Sequence, residues 1–318
     1  MASAETNQAN GQSSHSKAAR GKRNRQRVER NPLDDVLVRI TSSDTYLELE
    51  RDENFFAWLD VQRLSRTCGY VTASHGSGLL KSCQLYCRKR TTRRGGLFAT
   101  PVRAAYLEVC QPGEPLDLYN SALKVFGHPM QDVKDSLRSV RKRSRRTFQD
   151  FRLEMLLIGN AEFLSSASFN ELDYLFNKLK INIVLAGTKR IVNNMFADES
   201  DDEPGLKNCL LGSYQFPDLA SPEDSSDFVD VIDNWERKYL PESYRLKLSS
   251  DDDAVKYLYE KCDGLLEVLY NLLRRITIAA LYEEQYSGAK LDAQTLYEIL
   301  GAADYSEGSY KIRSDFAS

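Results

Sequence analysis

The sequence is short of the residues from which most catalytic and metal centres are built. It contains three histidines, His15, His75 and His128, each isolated, which argues against a histidine-rich metal site and against a Ser–His or Cys–His hydrolase. Its six cysteines, Cys68, Cys83, Cys87, Cys110, Cys209 and Cys262, form no C-x-x-C pair. The one close pair, Cys83 and Cys87, has no histidine or cysteine at zinc-finger spacing, so reduced, mostly buried thiols and no bound metal are expected. No apolar run reaches the roughly 18 residues of a membrane span, and the N-terminal stretch lacks the apolar centre of a signal peptide. The expectation is a cytoplasmic protein without a membrane partner.

What is present is an ordinary globular composition. Over 318 residues, 42% are hydrophobic and 28% charged, which excludes a wholly disordered or collagen-like chain. That length suits two domains, or one α/β unit with a helical appendage. The net charge of −3 hides an asymmetry: residues 1 to 31 carry Lys17, Arg20, Lys22, Arg23, Arg25, Arg27 and Arg30 against Glu5 and Glu29, a net of +5, which leaves −8 for the remainder. The tail has almost no apolar side chains to offset the entropy of ordering and is expected to be disordered. It reads either as a solubilising arm or as a nucleic-acid-binding arm whose cations release counterions from phosphates. A second basic run, Arg138, Arg141, Lys142, Arg143, Arg145 and Arg146, precedes Phe148 and Phe151 and reads as a solvated helix face or a second DNA contact. Acidic stretches at 198–203 and 223–233, with Pro204, Pro217 and Pro222 between and beside them, read as surface loops.

Short apolar runs alternate with helical patterns. Cys68–Val71, Val102–Val109, Leu153–Ile158 and Ile181–Ala186 have the length and apolar continuity of buried parallel strands. Leu79–Arg90, Leu116–Phe126, Met130–Phe151 and Phe169–Leu179 read as helices between and after them. The order predicts a parallel sheet with helices on both faces. After residue 225 the pattern turns wholly helical, over Phe228–Tyr239, Asp251–Lys261, Leu265–Tyr286 and Ala293–Leu300, with Asp251 and Asp292 as N-caps and Gly264 and Gly288 as breaks. This gives a basic tail over 1–33, an α/β core over 34–222, a helical lid over 223–303 and a C-terminal tail over 304–318.

Four stretches, FFAWLDVQRLSRTCGYV (55–71), LEMLLIGNAEFL (153–164), LFNKLKINIVLAGTKRI (175–191) and GLLEVLYNLLRRITIAALYEE (264–284), occur in the order and at about the spacing of the TnsC/TniB group of AAA+ transposition regulators, which the chain resembles over roughly residues 50 to 300. The resemblance implies an AAA+ P-loop-type sheet with a helical lid, and a bacterial source. In that family an ATP-dependent oligomer on DNA connects a target-selecting protein to the transposase. The implied partners are therefore the protein itself or an active TnsC-like relative, a targeting protein or transposase, and double-stranded DNA.

The chemistry of that family needs particular residues. A phosphate cradle reads G-x-x-x-x-G-K followed by Ser or Thr, the glycines admitting the phosphates to backbone N–H groups, the lysine reaching the outer phosphates and the hydroxyl holding Mg²⁺. Counted from the strand end, Thr72 takes the first glycine's place, Gly78 the lysine's and Leu79 the hydroxyl's. Counted back from Lys81-Ser82, Leu80 stands where glycine belongs and His75 at the first glycine. At the end of the third strand, where a hydrolysing relative has Asp and Glu, this chain has Gly159 and Asn160; Glu162 lies two residues beyond and is expected to point elsewhere. The lid reads Gly264-Leu-Leu-Glu267 where relatives often carry an arginine, and the first arginines are Arg274 and Arg275. The segment 208–216, matched to the region that supplies intersubunit arginines, has none. The loop 110–115, where relatives present cations to DNA, has no cation and one carboxylate.

The reading is a pseudo-ATPase scaffold with a vestigial nucleotide site at Gly76, Gly78, Lys81, Ser82 and Thr188, no catalytic residues and no cofactor. DNA contacts are assigned to Arg20, Lys22, Arg23, Arg25, Arg27, Arg141, Arg143 and Arg145. Leu210, Leu211, Tyr214 and Phe216 are candidates for the oligomer interface, against the alternative that they belong to the core. Two alternatives stay open: an active ATPase with an irregular P-loop using Lys81, Ser82 and Glu162 with ATP and Mg²⁺, and a basic-armed DNA-binding multimeric regulator.

Overall fold

A computed structural model of the chain describes residues 36–40, 46–91, 102–129, 135–196, 209–240, 242 and 245–287. The tail cations Arg20 to Arg27, the acidic stretch 198–203 and the expected helix at 293–300 lie outside the described residues.

A helical segment over 36–40 (α1) and a helix at Glu50–Ser65 (α2) precede the first strand. Then follow β1 (Cys68–Thr72), α3 (Leu79–Arg90), β2 (Ala104–Glu108), α4 (Pro115–Val125), α5 (Leu137–Asp150), β3 (Met155–Gly159), α6 (Ser166–Leu179), β4 (Asn182–Gly187), α7 (Arg190–Phe196) and β5 (Leu210–Gln215). Helices α8 (Asp227–Tyr239), α9 (Asp252–Cys262) and α10 (Leu266–Ser287) complete the described chain. All strand pairs are parallel, in the order β2-β3-β4-β1-β5.

Strands β3 and β4 lie in the middle of the sheet and are buried at every residue, which is why their sequences read as unbroken apolar runs. Their side chains still alternate. Leu156 and Ile158 join the layer of α4, α5 and α6 with Leu123, Phe148 and Leu172, whereas Met155 and Leu157 face α2 and α3 with Phe55, Leu59 and Tyr86. Pro115 opens α4, where its missing N–H costs nothing, and Ser165 caps α6 by accepting from the N–H of Ser168.

Two elements are absent from the sequence reading. The segment matched to an arginine-bearing region forms the edge strand β5; its Leu-Leu-Gly-Ser-Tyr-Gln run is poor in β-branched residues and a register irregularity interrupts its pairing with β1. Helix α2 buries Arg51, Asp52, Gln62 and Arg63 beside Phe55 and Leu59, so its inward face is half polar. Val36, Ile40, Leu49 and Leu219, which the sequence reading places in the α/β core, pack with Phe228, Trp235, Leu258 and Leu269 in one cluster.

Candidate functional site

The loop between β1 and α3 sets the register that the sequence left open. Gly76 and Gly78 have φ of +83° and +97°, a region that favours glycine, and Gly78 is the N-cap with Leu79 as the first helical residue. Counted back from this cap, the last glycine of a phosphate cradle falls at Gly78, the first at Ala73, the lysine at Leu79 and the hydroxyl at Leu80. Neither register counted from the sequence is the one adopted, because β1 runs on through Thr72. Leu79 is buried with α2 and α3, and its N–H donates to Ser77 Oγ at 3.3 Å. The Ser77 carbonyl accepts from Arg51 Nη2 at 2.8 Å, and the Gly76 carbonyl accepts from the N–H of Glu267 at 2.9 Å.

Ser82 does not reach the cavity. It is fully buried and donates to Asp52 Oδ1 at 2.5 Å, and the same carboxylate accepts from the Tyr46 hydroxyl at 2.6 Å and from the N–H of Leu49 at 3.0 Å. Burial, followed by the charge of Asp52, pushes the Tyr46 hydroxyl far above its usual range and keeps it a donor. Lys81, in contrast, lines the cavity with Leu80.

At the end of β3 the neighbouring strand decides what position 159 can hold. Tyr106 pairs in register with Leu157, so its ring lies on the same face as residue 159 and diagonal to it. A Cβ at Gly159 would lie 2.3 Å from the Tyr106 hydroxyl oxygen and 2.8 Å from the ring carbon bearing it. Asn160, also at the cavity wall, donates from Nδ2 to Glu108 Oε1 at 3.2 Å. Glu162, expected to point elsewhere, instead folds back through the short 3-10 turn Ala161–Phe163 and reaches β4. Its Oε1 accepts from the Thr188 hydroxyl at 3.1 Å and from the Thr188 N–H at 3.3 Å.

The lid closes this region from above. Leu266 packs on the loop with Cδ2 2.9 Å from where a Cβ of Gly78 would be, and Glu267 lies against Gly76. Helix α10 adds Tyr270, Asn271 and Arg274, so a lid arginine does reach the cavity. Arg274 Nη1 donates to Asn271 Oδ1 at 3.0 Å. Together these elements enclose a cavity of about 360 Å³, whose walls include Gly76, Gly78, Lys81, Asn160, Glu162 and Thr188. The aromatic side is made by Tyr46, Trp235 and Tyr270.

Other assigned residues fall elsewhere. Leu210 and Phe216 are buried core residues, and Tyr214 packs on Phe55 and Trp58 with centroids 5.3 and 5.4 Å away; only Leu211, 79% exposed, offers a surface. Arg141 and Arg145 turn towards α6: Arg141 pairs with Glu171, Arg145 pairs with it at 3.0 Å, and Tyr119 donates to the same carboxylate at 2.6 Å. Arg145 also lies 3.5 Å over the ring of Tyr174, and Arg143 pairs with Asp135 at 2.7 Å. These three arginines are engaged in ion pairs within the chain and do not face solvent as a group. All six thiols are free, with Cys68, Cys83, Cys87 and Cys262 buried, and burial raises the Cys68 thiol to about 12. Among the described residues no three histidines, cysteines or carboxylates are grouped to hold a metal, and no helix is long and apolar enough to cross a membrane.

A five-stranded parallel sheet in this order, flanked by helices and closed by a helical lid at the carboxyl ends of β1, β3 and β4, gives the chain an AAA+-type fold. The family model described as AAA domain matches residues 62–195. The solved structure of the Aeropyrum pernix ORC1 protein in complex with DNA is similar with a TM-score of 0.57 at 16% identity, covering 84% of this chain and 68% of that one. The Aeropyrum pernix ORC2 protein in its ADPNP-ADP complexes gives 0.59 at 10% identity, covering 83% and 72%, and Drosophila ORC bound to DNA gives 0.53 at 14% identity, covering 93% and 70%. At these identities the likeness is one of fold. No curated protein matches the chain.

Proposed function

We propose that the protein is a non-hydrolysing AAA+ scaffold or regulator of the TnsC/TniB kind, which oligomerises and links targeting proteins and DNA to a transposition-type machinery. The observation that carries this reading is the pair Tyr106 and Gly159: a phenol fills the space in which a Mg²⁺-holding carboxylate would have to stand. Leu79 and Leu80 at the lysine and hydroxyl positions point the same way, and Glu267 places a carboxylate beside the loop that would receive phosphate. The residues present do not suit ATP and Mg²⁺. The partners under this reading are the protein itself or an active relative, a targeting protein or transposase, and duplex DNA, with Arg20, Lys22, Arg23, Arg25 and Arg27 among the phosphate contacts. The DNA named for two of the similar structures supports that partner by analogy of fold.

A second reading, an ATPase with an irregular site, draws on Lys81 and Glu162, which both line the cavity. It has lost Ser82 to Asp52. Size-exclusion light scattering with and without ATP and Mg²⁺ separates the two. The scaffold reading expects the same mass in both conditions, and a monomer that becomes a large oligomer only with ATP overturns it.

A further inference from the structure

Helix α5 carries its charges in two sets that the structure separates. Its inner face is Val140, Ser144, Thr147 and Phe148, all buried, and the arginines that flank this face, Arg141, Arg143 and Arg145, are held by Glu171 and Asp135. Arg138, Lys142 and Arg146 are exposed on the opposite side. At about 100° and 1.5 Å per residue, this i, i+4, i+8 set forms a stripe within an arc of about 80° and roughly 12 Å long.

We infer that this stripe is a docking surface for the phosphate backbone of duplex DNA. Three observations carry it. First, the stripe is left without neutralisation: among the described residues no carboxylate pairs with Arg138 or Lys142, and Arg146 has only a 3.8 Å contact to Asp150 in which both side chains are well exposed. Second, the arrangement works against the helix that bears it. Like charges four residues apart repel, and α5 has no acidic residue in its first turn, where one would suit the helix dipole, but has Arg138 there. A set of cations that weakens its own helix, on a body whose residues 32 to 318 net −8, has its return outside the fold. Third, the stripe contains no exposed apolar or aromatic residue to serve as an anchor, since the other exposed positions of α5 are Gln149 and Asp150. Protein interfaces concentrate their binding energy in buried aromatic and apolar anchors, whereas backbone phosphates require only positioned positive charge.

The inference rests on the proposed DNA partnership and not on the loss of hydrolysis, and it moves the helical contact from Arg141, Arg143 and Arg145 to the alternate residues of the same run.

The test is fluorescence anisotropy of the full chain with a labelled 30-base-pair duplex of mixed sequence over a series of salt concentrations. The variants are Arg138→Glu/Lys142→Glu/Arg146→Glu and a charge-matched control on exposed lid cations, Arg237→Glu/Lys256→Glu/Lys261→Glu. The stripe variant should lose at least about tenfold in affinity at low salt, and its dependence of log K on log salt should become shallower by about 3, at roughly 0.9 per phosphate contact. The control should keep a slope within about one of the wild type, and the tail, present throughout, contributes equally to all three. Should the stripe variant fail to give the wild-type circular dichroism spectrum, the neutral Arg138→Gln/Lys142→Gln/Arg146→Gln replaces it, with the same direction expected. An unchanged slope in the stripe variant overturns the inference while leaving DNA as a partner. So does an equal loss in the control, which would reflect overall charge. A wild-type chain that does not bind the duplex overturns both the inference and the DNA part of the proposed function. A stripe variant that still binds DNA but changes mass in light scattering assigns the stripe to an acidic protein surface and overturns the inference too.

Discussion

The backbone N–H of Glu267 donates to the carbonyl of Gly76 across 2.9 Å, tying the first turn of α10 to the loop after β1. Three more hydrogen bonds tie that loop, through Arg51 and Ser74, to the segment 217–219, and a fourth ties the segment to Gly264, just before the lid helix. Arg51 donates from Nη1 to Pro217 O and from Nη2 to Ser77 O, both at 2.8 Å, Ser74 Oγ donates to Asp218 Oδ2 at 2.7 Å, and the N–H of Leu219 donates to Gly264 O at 2.9 Å.

Arg51 is the centre of this arrangement, 6% exposed and lying 4.9 Å from the ring centroid of Phe216. Arg51→Ala leaves two carbonyls without their donor and should cost roughly 2–4 kcal/mol in urea unfolding. Arg51→Lys, with a single ammonium for two carbonyls, should recover part of that. An Ala variant as stable as the wild type would show that the lid is held elsewhere.

Purified protein should show no ATP turnover above a buffer blank, because position 159 has no carboxylate and Leu79 stands at the lysine position. Lys81→Ala should leave the oligomeric mass in light scattering unchanged. A steady-state rate that this substitution abolishes would favour the irregular-site reading.

Gly159→Ala tests the Tyr106 contact directly. A methyl placed 2.3 Å from the phenol oxygen forces the ring or strand to move, at a cost of about 1–3 kcal/mol in chemical denaturation. In a Tyr106→Ala background the same change should cost clearly less, since the two sites are coupled through one space. Equal costs in both backgrounds would mean that the two residues do not compete for it.

The cluster at Asp60 predicts a pH dependence. Burial opposes its charge, but hydrogen bonds from Arg90, Tyr86 and Arg63 outweigh it and hold the carboxyl below the usual aspartate range. A carboxyl depressed in the folded state adds stability above its unfolded pKa and loses it as pH falls through the folded one. Asp60→Asn should therefore be less stable than the wild type at pH 7, by roughly 1–3 kcal/mol, and the gap should narrow below the usual aspartate range. Thermal melts between pH 2.5 and 7 read this out, and a gap that does not change with pH would assign the loss to packing.

The sequence by itself determined the alternation of strands and helices, the helical run that follows the sheet and the absence of carboxylates at 159 and 160. Each of these is local: a run of five apolar residues or a missing functional group needs no partner to be read. Tertiary structure decided the rest. The strand β5 is an edge whose residues are fixed by pairing with β1, more than a hundred positions earlier in the chain. The register of the loop depended on where β1 ends and where Gly78 caps α3. Glu162 reaches Thr188 only because a short turn after β3 folds it across to the neighbouring strand. Arg141 and Arg145 look like Arg138 and Lys142 in the sequence, and it is the single carboxylate of Glu171, brought over by α6, that takes the first two inward and leaves the others to solvent.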